Sequence, residues 1–205
     1  MQFTTVFLAV LSAGSALAAP PSKTISRQTG VNIVDQVLGD VTSALPAISS
    51  QITAIENLVS TTVTAGVIPQ IESALTTLED ELSTLQGQVA SLVTGIIQPI
   101  SASEVAALNT LLNETTTLTQ EVEAAVQQVI NNVPSALIGS LRAELLAVLG
   151  QIAPLVTPII TLSQAVISPT LPASAITAIQ QQVSTLTTLI TTSLTSIIVA
   201  LTGLL

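Results

Sequence analysis

The stretch IPQIESALTTLEDELSTLQGQVASLVTGI, residues 68–96, decides the fold. Its apolar residues Ile68, Ile71, Leu75, Leu78, Leu82, Leu85, Val89, Leu92 and Ile96 step by three and four in alternation. At the period of an α-helix, that spacing puts all of these side chains on one stripe. The same alternation recurs on either side. It runs from Val31 to Val59, from Val105 through Thr115 and Thr119 to Val133, from Ile138 to Val166, and from Ile176 through Ser193 and Ala200 to Leu204. Held over successive heptads, it predicts long antiparallel helices packed at shallow angles. The expected fold is all-α: an antiparallel bundle of about five long amphipathic helices over residues 31–205.

The punctuation agrees with the stripes. Gly66 and Pro69 separate the first two segments, and Pro99 ends the second. Ser101-Ala-Ser-Glu104 has the spacing of a capping box opening the third. Asn131-Asn-Val-Pro134 closes the third and Ser168-Pro-Thr-Leu-Pro172 the fourth, with Ser135 and Ser174 as candidate caps for the helices that follow. Pro46 in the first segment and Pro154 and Pro158 in the fourth predict kinks, because an internal proline removes a backbone bond and clashes with the preceding turn. The fourth segment carries a second apolar stripe: Leu137, Leu149, Val156, Ile160 and Ile167. A helix apolar on two sides belongs inside a bundle or a membrane. Gly150, Gln151, Pro154, Pro158 and Gln164, and the lack of basic flanking anchors, favour the central helix of a bundle.

The N-terminus reads differently. Residues 3–18 form an apolar run ending in the small-residue site Ala16-Leu-Ala18, the pattern of a secretory signal peptide cleaved after Ala18. A membrane anchor is the weaker alternative, since the run is short and broken by Gly14 and Ser15. Residues 19–30 show no periodicity and carry Lys23 and Arg27, as expected of a disordered tail or a short pro-segment trimmed at Arg27. At the other end, Leu194 to Leu205 has the composition of a lipid-anchor signal tail. The unbroken heptad phase from Ile176 favours a last bundle helix.

Composition excludes most chemistry. The chain has no Cys, His, Trp or Tyr, and its only Met and Phe residues are Met1, Phe3 and Phe7. Once the signal is removed, no aromatic ring, thiol or imidazole remains. A disulfide framework is impossible, and nothing obvious activates a hydroxyl for nucleophilic attack. Glu79, Asp80 and Glu81 are consecutive on a helix and so do not face one another as a catalytic pair. They read as a solvated face, without the ligand spacing of a calcium loop. No cofactor or metal is expected, and the chain is expected not to be an enzyme. The net charge of −9, with Arg142 the only cation beyond Arg27, excludes nucleic acid.

What remains is apolar binding. For a lipid held within the bundle, the candidates are Arg142 and the neighbouring stripe Leu141, Leu145, Ile152, Leu155 and Ile159. A solvated Arg142 whose stem snorkels along that stripe is the plainer reading. Asn113-Glu-Thr115 is an N-glycosylation sequon, which marks Asn113 as solvent-facing in a secreted chain. Polar faces of Ser, Thr and Gln surround a core of Leu, Ile, Val and Ala, as in Val41-Thr-Ser-Ala-Leu-Pro-Ala-Ile-Ser-Ser-Gln-Ile52 and Leu75-Thr-Thr-Leu-Glu-Asp-Glu-Leu82.

In this organisation the chain resembles the fungal hydrophobic surface-binding protein A family, which is related to lipid-binding domains of fungal cell-wall mannoproteins. The resemblance covers residues 31–205 and adds the signal peptide and the Ala-Pro segment after it. It implies a secreted or wall-associated protein that adsorbs to hydrophobic surfaces and recruits a secreted hydrolase such as an esterase. It also implies, as an alternative, a carrier binding a fatty acid or other lipid inside the bundle.

Overall fold

The computed structural model describes residues 33–93, 100–101 and 104–203. The expected signal peptide and the segment 19–30 lie outside the described residues, as do Val31, Ile96, Pro99 and Leu204 of the periodic stripes. Every described segment with an apolar stripe is helical. Helix α1 spans Ile33–Val59, α2 Ile68–Val93, α3 Val105–Asn132 and α4 Ser135–Ala165. Helix α5, Ala173–Thr188, runs through a π-helical turn, Leu189–Leu194, into α6, Thr195–Gly203. No strand occurs among the described residues. The fold is an all-α bundle.

The breaks fall where the sequence places them, with one difference in how the helices begin. Neither Ser135 nor Ser174 caps a helix. Pro134 and Pro172 hold the N-cap positions of α4 and α5, and neither helix has a side-chain cap. The carbonyl of Pro134 accepts the N–H groups of Leu137 and Ile138, and that of Pro172 accepts those of Ala175 and Ile176. Proline suits these positions because its φ is already fixed near the required value and its absent N–H has no partner to lose. Ser101 does not hold the N-cap of α3 either: Glu104 does, without a side-chain cap, although its carboxylate reaches back to Ser101. Its Oε2 accepts the backbone N–H of Ser101 at 2.6 Å and the Ser101 hydroxyl at 2.8 Å. Helices α1 and α4 continue through Pro46, Pro154 and Pro158 without a break in assignment.

The threonine-rich faces stay helical because their hydroxyls find partners within the helix. Thr76, Thr110, Thr116, Thr157, Thr161 and Thr177 each donate to the carbonyl four residues back. The hydroxyl therefore has a partner without solvent.

Side-chain bonds and short turns order the bundle. Gln128 Nε2, near the end of α3, donates to Glu56 Oε1, near the end of α1, at 3.2 Å, so those two helices run parallel. The N–H of Ile100, after α2, donates to the carbonyl of Val166, at the end of α4, at 3.1 Å. Helices α2 and α4 are thus parallel as well, while helices consecutive in the chain alternate in direction. The most extensive packing is α2 on α4, followed by α1 on α2 and on α3. Helix α5 lies against α3 and α4 with far less contact. A single aliphatic core runs through these layers, from Val34 to Leu201.

Candidate functional site

The stripe singled out for lipid binding forms the centre of that core. Leu141, Leu145 and Ile159 are fully buried, and Ile152 and Leu155 are 2 % exposed. These side chains are part of the continuous aliphatic core. Helix α4 buries its main stripe, and of its second stripe Leu149 and Val156 are buried while Leu137, Ile160 and the following Ile167 are half-buried. Two helical stretches, Ser135–Ala165 and Ala173–Gly203, are long and apolar enough to cross a membrane by length and composition. The first packs as a core helix, 44 % of its most apolar window being buried; for the second the share is 22 %.

Arg142 lies one residue beyond this stripe and is half-buried. Its Nε is shielded from solvent without a hydrogen-bond partner, as is Glu144 Oε2. The cation is thus partly drawn into the protein, whereas a snorkelling side chain keeps its charge in water.

Asn113 is exposed on α3, as its sequon requires. Its Oδ1 accepts a hydrogen bond from Gln182 Nε2 of α5 at 3.0 Å. Thr115, the hydroxyl residue of the same sequon, is only 1 % exposed, and its Oγ1 donates to the Leu111 carbonyl at 2.7 Å. An enzyme that must engage Thr115 has access to it before the helix packs, and none afterwards.

The acidic residues are dispersed. Glu79, Asp80 and Glu81 lie on α2 with Asp80 exposed, and Glu79 Oε1 is 3.5 Å from Gln151 Nε2 of α4. No cluster of three metal-ligating side chains occurs among the described residues. Among the described acidic residues Glu123 is the one buried as a whole side chain. It sits at 9 % exposure on α3, with Oε1 buried and unpartnered. Burial pushes its carboxyl above the ordinary glutamate range, and Asp40 on α1 shifts the same way for the same reason. The sequence pattern gave no sign of this, because Glu123 lies at the edge of the apolar stripe beside Val122 and Val126.

A group whose folded pKa is raised binds its proton more tightly in the folded state. Its contribution is fully present below the unfolded value and is lost as pH rises through the folded one. Glu123→Gln is therefore expected to raise the urea midpoint at neutral pH and to leave it unchanged below about pH 4. The difference between variant and wild type, followed by circular dichroism across pH, isolates this residue from the other carboxylates. A midpoint lowered by the substitution at neutral pH would show that the charge is paired.

A scan against protein-family models finds no match, and neither the curated proteins nor the solved structures contain a significant relative. The functional reading rests on the chain itself.

The feature that composition and fold together bring out is a separation of charge from apolar surface. Beyond Glu144 the sequence has no charged residue at all. This uncharged part comprises most of α4, the connector 166–172, and all of α5, the π turn and α6. On α6, Ile198 and Val199 face solvent, Val199 at 61 % exposure. Between α4 and α5 lies an open groove of about 580 Å³, lined by Gln164, Ile167, Gln180, Val183, Ser184 and Thr187 among others. Its lining mixes amide and hydroxyl groups with a somewhat larger share of apolar surface.

Proposed function

We propose that this is a secreted, non-enzymatic protein that adsorbs to hydrophobic surfaces through its amphipathic helices. The observation that carries the reading is the charge separation. An acidic body keeps the protein soluble, while an uncharged, aliphatic helix lies partly exposed at its side. An apolar phase accepts only uncharged surface, because removing one ion from water costs several kcal/mol.

Two further features support it. Burying an aliphatic side chain gives roughly 1.5–3 kcal/mol, so eight such residues on an apolar surface gain on the order of 10 kcal/mol. That matches the total stability of a typical domain, about 5–15 kcal/mol. The bundle is also not tuned for rigidity. Gly39, Gly87, Gly139 and Gly150 sit within helices with open space where a Cβ would stand, and each costs its helix about 1 kcal/mol relative to alanine. An external apolar surface therefore competes with the protein's own core. The test is depletion of the protein from solution by uncharged alkyl-coated beads, with bare beads as reference. A wall-associated location and recruitment of a secreted hydrolase belong to the same proposal through the family resemblance, and glycosylation at Asn113 through its sequon.

The alternative, a carrier holding a fatty acid within the bundle, is favoured by the unpartnered, half-buried Arg142. A carboxylate reaching it would gain a charge-assisted bond. Under that reading Arg142→Ala weakens binding of a fatty acid more than that of its methyl ester, as titration of each into the lipid-free protein would show. Equal weakening of both, or none, removes Arg142 from the site and leaves adsorption as the function.

A further inference from the structure

The adsorption reading leaves open which part of the bundle meets the surface. Resting on that reading, we infer that the last helix, Ala173–Gly203, is a detachable arm that swings off the bundle and lies on the apolar phase, while α1 to α4 remain packed as its support.

Four observations single it out. First, it is the least buried of the apolar helices, 22 % against 44 % for α4, and it already exposes Ile198 and Val199. Second, among the described residues one side-chain hydrogen bond joins it to the rest of the bundle, from Gln182 to Asn113. Six of its hydroxyls are satisfied within the helix: Thr177, Thr185, Thr187, Thr188, Thr191 and Thr195 donate to carbonyls four residues back, while Gln182 Oε1 is buried without a partner even in the packed state. Leaving the bundle therefore strands almost no donor or acceptor. Third, it carries no charge, so every face of it can be desolvated without the cost of burying an ion. The support it leaves behind holds all of the described acidic residues and stays in water. Fourth, its seam with α4 is already parted by the groove at Gln164, Ile167 and Val183.

The π turn fits this role. It divides the buried residues of the arm into two groups, Ile179, Val183 and Leu186 before it, and Leu194 at its last position with Ile197 and Leu201 after. Through the turn the backbone ladder passes from four-residue to five-residue bonds, and the Thr187, Thr188 and Thr191 hydroxyls take up carbonyls in this region. Reverting to an unbroken α-helix would rotate one group relative to the other. That rotation is compatible with a flat surface and incompatible with the present contacts in the bundle.

The absence of cysteine makes the test clean. Asn113→Cys with Gln182→Cys places two thiols where side chains already meet, and a short reducible bis-maleimide then clamps the arm to α3. Glu56→Cys with Gln128→Cys clamps α1 to α3 through the corresponding contact within the support. Each bridged protein is compared with its own unbridged form for binding to uncharged alkyl beads. Clamping the arm is expected to cut bound protein by about tenfold or more, by removing the competent state, and reduction of the bridge is expected to restore it. Clamping α1 to α3 is expected to change little. Equal binding with the arm clamped and free overturns the inference and leaves adsorption standing. Loss of binding from both clamps also overturns it, because the support would then have to open. Bridges formed between chains would assign the arm to a second copy and overturn it as well. Failure of the unbridged proteins to bind at all overturns the adsorption reading itself, and the inference with it.

Discussion

Leu145→Asp is expected to abolish the fold. Leu145 is fully buried near the middle of α4, which with α2 forms the most extensively packed pair of helices in the bundle. Truncation of such a leucine to alanine already costs about 2–5 kcal/mol. Aspartate adds a carboxyl with no partner, which must either ionise in the core or take up a proton there, at a further cost of several kcal/mol. The sum approaches or exceeds the whole stability of a typical domain, about 5–15 kcal/mol. The far-UV circular dichroism of the variant should show the helical signal lost or reduced to a fraction. Val199→Asp supplies the contrast. At 61 % exposure it is expected to shift the urea midpoint by an amount within about 0.5 kcal/mol, because its carboxylate stays in water. A folded Leu145→Asp protein would mean that α4 is not the central helix.

The second large effect is on adsorption and concerns its sign. Coverage of an uncharged alkyl bead is expected to rise with salt. The molecules carry a net charge of −9, more negative still without Lys23 and Arg27, and repel one another as the layer fills. Salt shortens the Debye length to about 10 Å at 0.1 M and about 3 Å at 1 M, which removes most of that repulsion. It leaves the hydrophobic term in place, and excluded salts such as sulfate strengthen it. Divalent cations should raise coverage further by pairing with exposed carboxylates on α2 such as Asp80. Bound protein measured across a salt series decides the matter, together with circular dichroism of the adsorbed layer. Helicity is expected to survive, because the helices reorient without melting. Coverage that falls as salt rises would identify an electrostatic binder and end the proposal.

Both expectations depend on one division of the chain, between what pairs with itself and what stays available. The helices, their breaks and the core stripe of α2 were legible in the sequence, because a helix is built from local bonds and its buried face repeats every three or four residues. The candidate stripe Leu141, Leu145, Ile152, Leu155 and Ile159 was legible too, as a set of residues sharing one face. Its place at the closed centre of the core was not, since the same pattern would serve a helix lining a cavity. The buried Glu123 and the half-buried Arg142 went unread for a similar reason. Whether a polar residue at the edge of a stripe meets water or a neighbouring helix depends on which helix stands beside it.

The last helix shows the boundary most sharply. A strict heptad from Ile176 places Ser193 and Ala200 on the inner stripe. In the structure Ala200 is exposed and Ser193 only half-buried, while Leu194 and Leu201 are buried in their place, because the π turn inserts one residue and rotates the stripe. Similarly, α3 buries Leu111, Leu118 and Ala125 beyond its predicted stripe, since helices pack on more than one side of it. The sequence by itself determined that this protein is made of amphipathic helices, where they stop, and that charge is absent beyond Glu144. The tertiary structure decided the partners: α1 parallel to α3, α2 parallel to α4, and the last helix left lightly held on the outside. The physical reason is that periodicity is a property of one helix and its own backbone. The choice among partners is made between faces that, in a core of Leu, Ile, Val and Ala, are chemically almost the same.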